Sequence, residues 1–314
     1  MSVFLTKIKL KSNFMKNLFF LFFFAFPFYN HAQHAKASNV FGDPNYFEAG
    51  VRVSELTDKK LNEISGMAAS TVNPGLFWVQ NDSGNRPEVY LVDEHLAIKF
   101  TVALKGVMNR DWEDIAVGPG PEPGKSYVYV ADIGDNLGIF PTKMIYRFEE
   151  PVYDSTSETH QLDLRDFKRI IFRLPGGDVR DCESMLMDPI SKNIYILSKE
   201  DSAILFRVRY PYAAKSDTSI ADNLGKYSIP KITAGSVAKN GEEILLKNYR
   251  RVWYWKNVEH RPIEEVLKAK PIMIPYDPEP QGEAIAWAHD GVGFYTLSEL
   301  KKDKKSFLFF YKRK

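Results

Sequence analysis

The sequence predicts an all-β chain folded as a β-propeller of five four-stranded blades, with the ring closed by a strand from the N-terminal side. Three observations carry that expectation. The segment Arg110-Asp111-Trp112-Glu113-Asp114-Ile115 returns about 70 residues later as Arg180-Asp181-Cys182-Glu183-Ser184-Met185, and its acid-small-apolar core returns again at Glu283-Ala284-Ile285. Each copy opens a short apolar strand, a tight turn and a second strand, which is the inner hairpin of a blade. Helical periodicity is weak throughout, with one amphipathic stretch from Ile263 to Ala269.

Residues 1–32 hold Lys7, Lys9, Lys11 and Lys16, no acid, and the 11-residue apolar run Leu18 to Phe28. That run is too short to span a bilayer and suits the core of a signal peptide, with Ala32 or Ala35-Lys36-Ala37 as cleavage positions. Met15-Lys16-Asn17 would also begin a conventional signal peptide, so Met1 and Met15 both stand as starts. Residues 33–314 then form one exported domain, periplasmic or secreted, without stable membrane insertion. Without those four lysines, 38 basic residues face 40 acidic ones, a formal charge of −2 that gives no support to nucleic-acid binding. The single cysteine, Cys182, allows no internal disulfide, and alternation points it into the blade as a small hydrophobe.

The first blade begins at Ser65-Gly66-Met67, turns at Asn73-Pro74-Gly75 and returns through Phe77-Trp78-Val79. The third runs from Glu183 through Ser191-Lys192-Asn193 to Ile194-Tyr195-Ile196-Leu197. The fifth runs from Glu283 through His289-Asp290-Gly291 to Phe294-Tyr295-Thr296-Leu297. A fainter copy, Thr233-Ala234-Gly235, supplies the fourth. Taking Ser65, Glu113, Glu183, Thr233 and Glu283 as equivalent gives spacings of 48, 70, 50 and 50 residues, against about fifty for one blade. The long interval holds the polar stretch Asp154 to Asp166, read as an extended loop; a sixth, degenerate blade is the alternative. The fifth unit lacks an outer strand. Val51-Arg52-Val53 can supply it beside Phe307-Leu308-Phe309-Phe310, covering both open edges.

Starts of first strands and ends of second strands meet at one mouth of such a ring. The starts bring Arg110, Asp111, Glu113, Arg180, Asp181, Glu183 and Glu283; the returning ends bring Asp82, Asp132, Asp135, Asn136, Glu200, Asn248 and Glu299. Carboxylates crowded around one axis must bind a cation, pair with Arg110, Arg180 or Lys199, or hold protons. An oxygen-only donor set without a histidine or cysteine cluster points to a hard ion, Ca²⁺, with Glu113, Glu183 and Glu283 as its metal ligands. Asp132-Ile133-Gly134-Asp135-Asn136 has calcium-loop spacing at its start but no terminal glutamate, so it fails as an EF-hand. No Gly-x-Ser-x-Gly elbow, Walker or dinucleotide motif occurs. Trp253-Tyr254-Trp255 reads as core packing, with the tryptophans on one sheet face and Tyr254 on the other.

Trp112-Glu113-Asp114-Ile115-Ala116, the run from Tyr127 through Asp132-Ile133-Gly134-Asp135-Asn136, and Gln281-Gly282-Glu283-Ala284-Ile285 resemble a group of exported bacterial β-propeller proteins of unassigned activity. More distantly the chain is similar to phytase-like and lactonase-like propellers that hold calcium on their axis. That similarity implies an axial metal and hydrolysis, with Glu113, Glu183 and Glu283 as the matching acids and Ser65 and Thr233 as departures. Two functions follow as expectations. One is a calcium-supported hydrolase of a phosphoester- or lactone-like small molecule, in which Glu183 or Asp132 is the catalytic carboxylate that activates water. The other is a non-catalytic monomeric module that captures a glycan or a protein.

Overall fold

The computed structural model describes residues 42–314 apart from 157, 158, 164, 214–217 and 303. The signal-peptide reading of residues 1–32, and the choice between Met1 and Met15, lie outside the described residues. Five small antiparallel sheets follow one another along the chain. Blade 1 is built from Ile64–Ala69, Phe77–Asn81, Glu88–Val92 and Ile98–Leu104; blade 2 from Trp112–Pro119, Ser126–Asp132, Lys143–Glu149 and Lys168–Arg173. Blade 3 holds Cys182–Met187, Ile194–Ser198, Ile204–Val208 and Asp222–Lys226, and blade 4 holds Ala234–Val237, Glu243–Lys247, Val252–Lys256 and Ile272–Ile274. Blade 5 has Gly282–Trp287, Gly293–Ser298 and Phe307–Lys312, and takes its outer strand from Val51–Glu55, with Val51 opposite Phe310. The ring therefore closes as the sequence leads one to expect, and the described residues of the long interval form no sixth blade.

That interval does something the polar composition concealed. Its Thr159–Leu162 pairs in parallel with Ile98–Leu104, adding a fifth strand to blade 1. Ser219–Ile220, from the connection inside blade 3, likewise pairs in parallel with the outer strand of blade 2. Both segments cross back onto the preceding blade. They tie neighbours together through the outermost strands of the ring.

Hydrophobic residues form one cluster for each of the five blade interfaces. Trp253 and Trp255 enter the cluster shared with blade 3, while Tyr254 enters the one shared with blade 5. Alternation on a strand buried on both faces accounts for this division. Phe47, ahead of the closing strand, inserts among Tyr254, Trp287 and Phe294 and anchors the N-terminal segment. Cys182 is fully buried in the blade 2–3 cluster, and burial pushes its thiol up to about 12. The helical stretch is one turn, Ile263–Val266. Among the described residues no helix is long and apolar enough to cross a membrane.

Candidate metal centre

The first residues of the inner strands do not simply alternate. In blades 1, 2, 3 and 5 the register breaks between Ile64 and Gly66, Trp112 and Asp114, Cys182 and Ser184, and Gly282 and Ala284. The skipped residues are Ser65, Glu113, Glu183 and Glu283, the very positions that the repeat aligns. A bulge adds one unpaired residue and re-aims its side chain. Here it breaks the two-sided alternation that would bury each glutamate between blades. Ser65 uses this freedom differently: its hydroxyl donates to the Trp112 carbonyl of blade 2 at 2.8 Å. Thr233 in blade 4 does the same to the Gly282 carbonyl of blade 5 at 3.2 Å. The two departures from glutamate are thus staples between neighbouring blades.

Asp82, Asp111 and Glu113 place carboxylate oxygens within 4.8 Å of one another, and Glu113, Asp181 and Glu183 do so in turn. Glu113 belongs to both groups, so acids from blades 1, 2 and 3 converge on it. It is 4% exposed and makes no ion pair among the described residues. Burial pushes its carboxyl well above the usual range, and the charges of Glu183, Asp82, Asp111 and Glu283 push it further. Burial, then Asp82 and Asp181, raise Asp111 to about 6. Asp82 is raised too, by burial against the N–H of Ser83. These two groups of acids could hold a metal ion.

Gly134 makes the convergence possible. Its N–H and that of Ile133 donate to the Asp111 carbonyl at 3.1 and 3.2 Å, which locks the loop against the rim. A Cβ on Gly134 would lie 2.2 Å from Glu113 Oε1 and 2.4 Å from Asp111 Oδ2. The Gly134→Ala variant is expected to fold, because carboxylate ends can swing aside. If these acids hold a cation, its affinity should fall at least tenfold by calorimetric titration, since both carboxylates are displaced together; unchanged affinity would show that neither carboxylate holds it.

The other half of the rim carries its own cation. Lys199 Nζ meets Glu183 Oε1 at 2.6 Å and lies 5.5 Å from the Tyr249 ring centroid. Burial alone would lower the Lys199 ammonium, but Glu183 and Tyr249 hold it above its ordinary value. Tyr249 Oη donates to Glu283 Oε1 at 2.6 Å. Burial, then the adjacent Glu283, raise Glu299 to about 8 despite Lys301 at 3.2 Å. Glu283 therefore faces Tyr249 and Glu299 and lies outside both carboxylate groups around Glu113.

The remaining predicted residues hold the mouth in shape. Asp132 is fully enclosed, accepting from Arg110 Nε at 3.1 Å, Tyr146 Oη at 3.2 Å and the Asp111 N–H at 3.3 Å. Arg110 also stacks over Phe140, 4.3 Å from the ring centroid. Asp135 accepts the N–H groups of Ile139 and Phe140 and pairs with the buried Lys143, while its own N–H donates to Asp181 at 2.9 Å. Asn136 is exposed. Arg180 pairs with both Asp178 and Glu200. Asn248 accepts the N–H groups of Arg250 and Arg251 and donates to the Pro230 carbonyl, so it shapes a turn.

Asp114, which the sequence reading passed over, sits deepest. Its carboxylate accepts Ile115 N–H at 2.8 Å in its own blade, Met185 N–H at 2.8 Å in blade 3 and Gly235 N–H at 3.4 Å in blade 4. Aligning the repeats would have exposed it, because the other copies carry Gly66, Ser184, Ala234 and Ala284 at that slot. Tyr249 and Gly134 carry no comparable signal, since each acts through a loop particular to one blade. No protein-family model matches the chain, and no curated protein matches it. The likeness to phytase-like and lactonase-like propellers accordingly stays with the motifs named above.

Proposed function

We propose that the acidic mouth binds a divalent cation, Ca²⁺, and that the exported, monomeric ring uses it to hydrolyse a phosphoester- or lactone-like small molecule. One observation carries the reading: Glu113 lies buried among Asp82, Asp111, Asp181 and Glu183 and makes no ion pair among the described residues. Uncompensated buried carboxylates are costly, and a hard ion that accepts many oxygens relieves the cost. The donor set fits such an ion. Asp82, Asp111 and Glu113 would hold it, with Asp181 on the far side of Glu113. When bound, the ion supplies Lewis-acid polarisation of a substrate oxygen.

The chain's own residues divide the remaining work. Lys199 pairs with Glu183 at 2.6 Å and orients it; on this reading Lys199 offers positive charge to an anionic substrate and Glu183 takes a proton from water. Asp132, with both oxygens engaged, positions Arg110 and the Asp111 backbone. A non-catalytic capture module is the second reading. It draws on Met108, Leu137 and Ile139, which stand 77%, 81% and 58% exposed on the loops leading to the same mouth.

Elemental analysis and calcium titration of the purified mature protein, with p-nitrophenyl phosphate and dihydrocoumarin as turnover probes, separate these outcomes. Calcium binding with calcium-dependent turnover, both lost in Glu113→Gln, is expected. Binding without turnover would select the capture module, and a protein that takes no divalent cation would end both forms of the metal reading.

A further inference from the structure

The opposite mouth of the tunnel has a different chemistry. There the ends of the inner strands enclose a cavity of about 380 Å³. Its walls include Ile115, Val117, Met185, Met187, Val237 and Trp287. Ile115, Met185 and Gly235, which form part of its lining, are the three residues whose N–H groups Asp114 holds. The cavity is therefore built on a fixed ceiling, on the far side of Asp114 from the acidic cluster.

No Asp or Glu lines it, whereas Lys125, Lys239 and His289 do. Lys125 is neutralised by Glu122 and Glu149, both at 2.9 Å. Lys239 is exposed and has no ion pair among the described residues. Two lining residues, Ser126 and Trp287, carry buried donors, Oγ and Nε1, with no partner among the described residues. His289 Nδ1 lies 2.9 Å from the Ser70 carbonyl, which fixes the ring at the rim. An apolar chamber with a cationic, donor-bearing lip and no acid complements a molecule with an apolar body and one anionic head.

We infer that this chamber is a second binding site, for a small amphiphilic monocarboxylate whose chain enters the tunnel and whose carboxylate meets Lys239. The volume equals that of about a dozen waters, which matches a chain of about eight to ten carbons. The flexible Met185 and Met187 side chains adapt the wall to such a chain. The site works independently of the acidic mouth, because Asp114 and its N–H partners stand between the two.

Decanoate is the probe, with decylamine and decanol as controls, titrated calorimetrically into the protein in chelator so that calcium soaps do not form. Decanoate is expected to bind one to one, at least tenfold more tightly than decylamine and at least threefold more tightly than decanol. Lys239→Glu should weaken decanoate at least fivefold without affecting decanol. Ala116→Phe, which fills the chamber, should abolish binding of both, while its melting point shows that the ring is intact. Should Ala116→Phe fail to fold, Val237→Phe replaces it. Glu113→Gln should leave decanoate binding unchanged, so failure at one mouth is separable from failure at the other. Absence of decanoate binding, equal binding of decylamine, or indifference to Lys239→Glu would each overturn the inference.

Discussion

Replacing Asp114 with alanine is expected to cost about 2–5 kcal/mol of stability. The carboxylate closes hydrogen bonds to backbone N–H groups in three blades, at 2.8, 2.8 and 3.4 Å, in a place 1% exposed. Burial works against its charge, while the three donors work for it. Alanine removes the acceptor and leaves donors from blades 2, 3 and 4 unpaired where water has little access, so the penalty falls on the contacts that keep the inner strands converged. Asparagine keeps one acceptor oxygen but turns an NH₂ toward a donor, and should fall between alanine and wild type. Denaturant unfolding of the three proteins measures this. An alanine variant within about 0.5 kcal/mol of wild type, the range of ordinary surface changes, would show that Asp114 does not bridge the blades.

The same residue shows where sequence reasoning stops. Periodic strands, turns and the repeat made the ring and its closure legible, because a blade buried on both faces leaves apolar runs at regular spacing. Repetition also made legible that Glu113, Glu183 and Glu283 occupy equivalent positions. Equivalence is not proximity, however. The bulges aim all three acids inward, but which of them could share an ion depends on loop residues outside the repeat. Gly134 admits Glu113 beside Asp111, Lys199 engages Glu183, and Tyr249 engages Glu283. The long interval illustrates a related limit. Thr159–Leu162 is polar and largely exposed because it is an outermost strand, so no apolar pattern marks it even though it pairs with blade 1.

In cation-free buffer the protein is expected to melt at a higher temperature at pH 5 than at pH 8. Asp111 and Glu299 have folded values of about 6 and about 8, and Glu113 and Asp82 are raised as well, whereas carboxyls in an unfolded chain titrate near 4. Below pH 4 both states hold these protons and no penalty exists. As the pH climbs from 4 toward 8 the unfolded chain ionises first, the folded ring follows only against repulsion and burial, and stability is lost across that window. Asp93, Asp135 and Asp222, whose values are lowered, contribute stability that is lost only as the pH falls through the ordinary carboxyl range and below, so they contribute almost alike at pH 5 and pH 8. Lys247 acts in the opposite sense, because burial lowers its ammonium. Glu113→Gln isolates the acidic mouth from it by flattening the profile. The expected loss between pH 5 and pH 8 is on the order of 5 °C. Calcium at a hundred times its dissociation constant should return about 2.7 kcal/mol at pH 8 and much less at pH 5, where protons occupy the ligands. A melting temperature that rises steadily to pH 8, or a calcium effect of equal size at both pH values, would mean that the mouth's carboxylates are not the strained, ion-seeking group that their burial implies.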